Sequence, residues 1–197
     1  ESEVVNAVGT AVATNAGIAS RPLVLLVVIG ALSLLPFVLL LMTSFVKIAV
    51  VLSVLKSALG TPQIPPSQVV TGLALILTLY VMAPTGMRMF QAAEPLLGQN
   101  AGANLLSGQT AEALTAAVAK AKEPLREFLL KHASARDRAV FYRLALRMRS
   151  AEERAGISER DFLIVVPAFL TSELRRAFEI GFLLFVPFLV VDMVIAN

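Results

Sequence analysis

Long apolar runs bracket one polar middle in this chain, and their lengths decide how each is read. No residue between Arg21 and Lys47 is charged, and the 25 positions between them (22–46) would measure about 37 Å as helix. A bilayer core of about 30 Å needs no more than that. The helical pattern continues past Lys47 to Gly60, a C-terminal stop before the breaker-rich Gly60-Thr-Pro-Gln-Ile-Pro-Pro66. One span cannot hold so long a helix, so a kink is predicted at Pro36, with Gly30 and Ser33 nearby. A second apolar run, Val69 to Ala83, follows the Pro-Pro pair and meets its first charge at Arg88. Residues 22–90 therefore read as an apolar helical hairpin whose turn is made by Gly60, Pro62, Pro65 and Pro66, with 1–21 as an N-terminal segment. The Val/Ile run from Ile48 to Val51 sits in a pattern too long for a strand.

The third apolar region, 161–197, is patterned differently. Phe162 to Ser172 is about half a bilayer long and is followed by Glu173, Arg175, Arg176 and Glu179; Ile180 to Val191 is also short, and Pro167 and Pro187 lie inside the two stretches. Neither stretch alone is a normal span. Pro-broken helices around charges suit positions buried in protein or lining a cavity, because lipid satisfies neither freed backbone groups nor lone charges. Pairing is expected between Arg175 and Glu179 at i, i+4 and between Glu173 and Arg176 at i, i+3. The alternative is a solvated interfacial turn. Lys47 and Lys56 flank the hairpin tip against Arg21 alone at the outer end, which places the tip in the cytoplasm by the positive-inside rule.

Most charge falls in the middle region, 91–160. The stretch Gly98 to Gly108 reads as a loop, and helix resumes near Thr110 with Pro124 interrupting or restarting it. Ser134 and Asp137 form a capping-box-like start for a helix running to about Ala155 or Gly156. On it Val140, Leu144 and Met148 make one apolar stripe, expected to pack, while Arg136, Arg143, Arg147 and Arg154 share a basic side. That basic side is either a solvated face or a contact with an acidic partner or lipid headgroups. Nucleic acid is not indicated, since no aromatics interleave the arginines. Ser158 and Asp161 repeat the capping pattern and predict a helix start near Glu159.

Composition sharpens this picture. Hydrophobic residues make up 57% of 197 and charged residues only 16%, with mean hydropathy +0.78, which excludes an ordinary soluble domain. Seventeen basic against fourteen acidic side chains give +3. With no cysteine and one histidine, His132, thiolate metal sites and His clusters are excluded. His132 follows Lys131 near a helix end and reads as an exposed or capping residue. No nucleophile–base pair, metal set or phosphate loop is visible, so no enzyme and no cofactor are expected. Glu173 and Asp192 are the acids in the most apolar context, and they leave open the alternative of a small-solute or ion transporter with a buried carboxylate. A passive membrane scaffold is a third reading. The chain begins with Glu1 and has no basic n-region, so no signal-peptide pattern is present and a processed or trimmed chain is expected.

Longer motifs carry a resemblance that composition does not. Leu35-Pro-Phe-Val-Leu-Leu-Leu-Met-Thr-Ser-Phe-Val-Lys-Ile-Ala-Val-Val-Leu-Ser53, Ala58-Leu-Gly-Thr-Pro-Gln-Ile-Pro-Pro66, Gly72-Leu-Ala and Tyr80-Val-Met-Ala-Pro84 resemble the first half of the SctR/FliP export-gate family of bacterial type III secretion systems. Pro124-Leu-Arg-Glu-Phe-Leu-Leu-Lys131, Pro167-Ala-Phe-Leu-Thr-Ser-Glu-Leu-Arg-Arg-Ala-Phe-Glu-Ile-Gly-Phe182 and Pro187-Phe-Leu-Val-Val-Asp192 resemble its second half. Ser44-Phe-Val-Lys47, Ile64-Pro-Pro66 and Ala177-Phe-Glu-Ile-Gly181 look more like the virulence-associated injectisome branch than the flagellar one.

The resemblance implies an all-α subunit of a helical ring of about five copies, joined by SctS/FliQ-type and SctT/FliR-type proteins, that admits unfolded secreted substrates. It implies a place in the inner membrane, with the assembled complex largely on the periplasmic side and in contact with lipid. It also implies a buried charge network made by Glu173, Arg175, Arg176, Glu179, Lys47 and Asp192, and a further segment beyond Asn197 that carries the gate, which these residues lack.

Overall fold

The computed structural model describes residues 22–58, 60, 65–98, 108–154 and 156–196. Seven helices are seen among them: α1 Pro22–Leu41, α2 Phe45–Ala58, α3 Ser67–Gly98, α4 Gly108–His132, α5 Ala135–Met148, α6 Ala151–Arg154 and α7 Phe162–Ala196. No strand occurs among the described residues, in keeping with an all-α membrane-type protein. α3 and α7 are each long and apolar enough to cross a membrane, and α1 with α2 adds a third span if the pair counts as one broken crossing.

Five features of the helices differ from the pattern-based expectation, each for a local reason. The first apolar helix runs unbroken through Pro36 and stops instead at Met42–Ser44. There the Thr43 hydroxyl donates to the Leu40 carbonyl at 2.6 Å and accepts from the Phe45 N–H at 3.3 Å, replacing helical bonds with side-chain ones. Proline removes one donor and leaves the rest of the ladder, whereas Thr43 terminates one helix and caps the next. By the same logic α4 continues through Pro124 and α7 through Pro167 and Pro187. The 161–197 region is thus one 35-residue helix, not two short pieces.

At the polar end, α5 stops at Met148 rather than near Ala155. Ser150 begins α6 with its own box, its N–H donating to Glu153 Oε2 at 3.4 Å. The Ser158/Asp161 pair closes a turn, with Ser158 N–H on Asp161 Oδ2 at 2.9 Å and Asp161 N–H on the Ser158 carbonyl at 3.0 Å, so α7 begins at Phe162 and not near Glu159.

Gly60 ends the α2 segment with φ of 69°, the left-handed conformation that favours glycine after a helix. Pro65 and Pro66 lead into α3, where the Pro66 carbonyl accepts the Val69 and Val70 N–H groups. Pro62 and the Gly98–Gly108 loop between its ends lie outside the described residues.

Contacts divide the chain into two compact units, Glu1–Leu39 with Met87–Glu123, and Leu40–Gly86 with Pro124–Asn197. In the described part of the first, Ala93 and Ala117 are buried while Leu32, Leu34, Leu35 and Phe37 of α1 are exposed. The second holds the main core, Leu129, Ile164, Val165, Ala168 and Phe169, with the rings of Phe128 and Phe169 5.7 Å apart. The Arg126 guanidinium stacks over Phe162 at 4.8 Å. Within this unit α7 packs against both α2 and α5.

α2 and α7 pack tightly at Gly181, where an added Cβ would stand 3.0 Å from the Val54 Cβ and Cγ1. Gly181→Ala would gain roughly 1 kcal/mol of helix propensity but overpacks a rigid β-branched neighbour at a cost of about 1–3 kcal/mol. Net destabilisation is expected, relieved by adding Val54→Ala; thermal unfolding of the purified protein in mild detergent checks both.

Candidate functional site

Two polar clusters lie on the packed face of α7, and neither is local to one helix. The first centres on Glu173, whose residue is 1% exposed. On the turns that follow it, its face of α7 is built from small residues, Ala177 and Gly181, and α2 comes close enough there for Val54 to abut Gly181. Lys47 Nζ lies 2.9 Å from Glu173 Oε2. The approach is that of an ion pair and not of an aligned hydrogen bond, since Oε2 has no hydrogen-bond partner. Arg176 Nη1 meets Oε1 at 3.4 Å from the next turn of α7. Both cations keep partial access to water while the carboxylate has almost none. A lone carboxylate in such a place would be strongly disfavoured, so the cations are a condition of its burial.

The second cluster fastens the start of α5 to α7. Ser134 caps α5, its hydroxyl accepting the Asp137 N–H at 3.1 Å. The expected reciprocal bond is rerouted: the Ser134 N–H donates to Ser172 Oγ at 2.9 Å rather than to the Asp137 carboxylate. Asp137, 4% exposed, accepts the hydroxyls of Ser134 and Ser172 on Oδ2, each at 2.7 Å, and Arg175 Nη2 on Oδ1 at 2.7 Å. Burial pushes the carboxyl up, but the Ser172, Ser134 and Arg175 contacts outweigh it and hold Asp137 below the ordinary carboxylate value.

The structure thus sorts the sequence-derived residues. Glu173, Lys47 and Arg176 come together. Arg175 does not pair with Glu179; it turns to Asp137, because a buried carboxylate cut off from water draws a cation more strongly than an exposed one does. Glu179 and Asp192 are exposed and stand outside both clusters. Lys56 donates to Ser67 Oγ at 3.1 Å across the mouth of a cleft of about 590 Å³ between α2 and α3 that also holds Ser53, Ser57 and Thr71. His132 is half-buried, its ring tilted against that of Phe128 and its Nδ1 2.8 Å from the Phe128 carbonyl, a capping arrangement.

Asp137 and Ser172 were not singled out as site residues by the sequence. Asp137 showed only as a cap, and Ser172 only as the end of an apolar run. The α5 stripe Val140, Leu144 and Met148, expected to pack, is exposed instead, and the half-buried side of α5 carries Phe141, Tyr142, Ala145 and Leu146.

The FliP family matches residues 28–197. The chain belongs to the FliP family. Hypersensitivity response secretion protein HrcR of Ralstonia nicotianae is 42% identical over 88% of this chain and 77% of its own length. Yop proteins translocation protein R of Yersinia pestis is 40% identical over 88% and 76%. The flagellar biosynthetic protein FliP of Caulobacter vibrioides is 42% identical over 98% and 67%. FliP relatives with virulence names and with flagellar names therefore stand at comparable distance from this member, and both clusters lie inside the matched region.

The two clusters respond differently to perturbation. Lys47→Met leaves the buried Glu173 carboxylate with Arg176 alone and is expected to cost about 3 kcal/mol, whereas Glu173→Gln leaves two partly hydrated cations and costs less; thermal unfolding in detergent ranks them. For Asp137, a folded-state pKa below the unfolded one means that its contribution is complete above about pH 4. It is lost as pH falls through the lower folded value. Asp137→Asn is expected to flatten that acid limb, read as protease resistance of the α5–α7 segment between about pH 2 and 6.

Proposed function

We propose that this chain is a core subunit of a bacterial type III secretion export apparatus, forming with partner membrane proteins the entry path for unfolded secreted proteins across the inner membrane. The observation that carries this reading is the family match over residues 28–197, with relatives named for secretion of virulence proteins and for flagellar biosynthesis. FliP-family proteins are components of that export apparatus, and the small-solute transporter alternative is not favoured. A bacterial membrane location and association with other secretion proteins follow from the same membership and from the apolar α3 and α7.

The finer reading is ours. About five copies assemble with SctS/FliQ-type and SctT/FliR-type proteins, and the complex sits largely on the periplasmic side of the inner membrane. The chain is not an enzyme: it supplies walls and interfaces, and export energy comes from elsewhere. Ser44-Phe-Val-Lys47, Ile64-Pro-Pro66 and Ala177-Phe-Glu-Ile-Gly181 favour the virulence branch over the flagellar one. The apolar side chains left open on α1, α3 and α7 support a subunit whose faces are completed by lipid and by neighbours. Glu173, with Lys47 and Arg176, is the centre of the charge network that makes subunit assembly possible.

Deleting the gene in the source bacterium is expected to abolish secretion of a reporter substrate without altering general membrane energetics, and the full-length gene supplied in trans restores it. In mild detergent the full-length protein is expected as a discrete oligomer near five copies that takes up both small partners. Normal secretion in the deletion strain, or a stable monomer indifferent to the partners, would refute the reading. Glu173→Ala is expected to lower recovery of the complex and secretion together.

A further inference from the structure

Among the apolar side chains uncovered on the second unit, two stripes match each other in spacing and oppose each other in charge. On α5, Val140, Leu144 and Met148 are exposed, Met148 by 78%, and their i, i+4, i+8 spacing puts them on one face. Arg143 and Arg147 stand beside them, and with Val140 and Leu144 they line an open groove of about 280 Å³. Rolling α5 to hide this stripe is prevented by Asp137, which ties the start of the helix to Ser172 and Arg175. On α7, Leu174, Phe178 and Phe182 repeat the spacing and are likewise exposed, Phe182 by 67%. Beside them is Glu179, exposed and in no ion pair among the described residues, its same-helix candidate Arg175 being committed to Asp137. Each stripe runs about 12 Å along its helix.

We infer that the α5 stripe of one copy docks on the α7 stripe of a second copy, with Arg143 and Arg147 facing Glu179. Within one chain both stripes stay exposed, while the half-buried side of α5 carries Phe141, Tyr142, Ala145 and Leu146. Lipid alone is a poor cover for the α7 stripe, since a carboxylate beside two phenylalanines is expensive in hydrocarbon. Arginine forks neutralise it while the aliphatic α5 side chains cover the rings. The two stripes are different surfaces, so the contact is heterologous: each copy offers α5 to one neighbour and α7 to the other, an arrangement that closes into a ring when the rotation permits. This deepens, and rests on, the reading of the chain as a self-assembling subunit.

The sequence has no cysteine, so introduced thiols report cleanly. Leu144→Cys and Phe178→Cys are placed in two differently tagged full-length copies, produced together in the bacterium with the rest of the apparatus, and membranes are oxidised. The expected result is a disulfide-linked dimer carrying both tags, absent when either variant is produced alone. In parallel, Glu179→Arg is expected to reduce the recovered oligomer by about tenfold, Arg143→Glu with Arg147→Glu to do the same, and the three changes together to restore it. An oligomer of native mass that gives no mixed cross-link overturns the contact while leaving self-assembly standing. So does coupling of Leu144→Cys only to itself or to a different protein, labelling of both thiols by a lipid-soluble reagent in the intact oligomer, or failure of the charge exchange to restore assembly. A monomeric unsubstituted chain overturns the self-assembly reading and the contact together.

Discussion

Glu173 is a carboxylate with almost no access to water on a helix that is otherwise among the most apolar in the chain. Charge in that position persists only where opposite charge is brought to it, and the surrounding fold does so from two directions. Arg176 comes from the next turn of the same helix, at a distance set by helical geometry alone. Lys47 comes from α2 and requires two helices to run close together. Each feature that permits this is visible nearby. Thr43 ends α1 and starts α2 a few residues before the lysine, and Ala177 and Gly181 present so little bulk that α2 can approach. The ion pair and the close packing need each other, since the lysine reaches the carboxylate only across a tight interface.

Asp137 solves the same problem by different means. Its charge is held by two hydroxyls and one guanidinium, and the hydroxyls come from a helix cap and from the packed face of α7. A cap is ordinarily a local device that satisfies the first N–H groups of one helix. Here Ser134 passes its N–H to Ser172 and its own hydroxyl to Asp137, so the start of α5 is fixed in orientation against α7. Fixing that orientation decides which side of α5 is covered. Phe141, Tyr142, Ala145 and Leu146 turn partly inward, and Val140, Leu144 and Met148 are left outside.

For a protein of an export apparatus, this division of labour is physically sensible. A buried ion pair is weak evidence for net stability, and here the pairs tie α2 and α5 to defined positions on α7. Large apolar surfaces remain exposed on the described helices, outside a core built around Leu129, Ile164, Val165 and Phe169 together with small residues and a few charges.

Chain pattern alone determined the all-helical architecture, the stop at Gly60, the two apolar runs within 22–90 able to reach across a membrane, the Glu173–Arg176 pair and the family, because each depends on near neighbours or on ordered motifs, whereas the spanning length of α7 emerged only from its unbroken helix. Prolines were read too strongly: one missing donor at Pro36, Pro124, Pro167 or Pro187 does not outweigh the remaining ladder of a long helix. The break at Thr43 was passed over because a hydroxyl that competes for backbone bonds has no periodic signature. Tertiary structure decided the rest. Asp137 took Arg175 from Glu179, Ser172 became a ligand to a distant cap, and the α5 stripe stayed uncovered. These choices turn on which helix lies against which, and a carboxylate selects its cation by burial and proximity in space, neither of which is written in spacing along the chain.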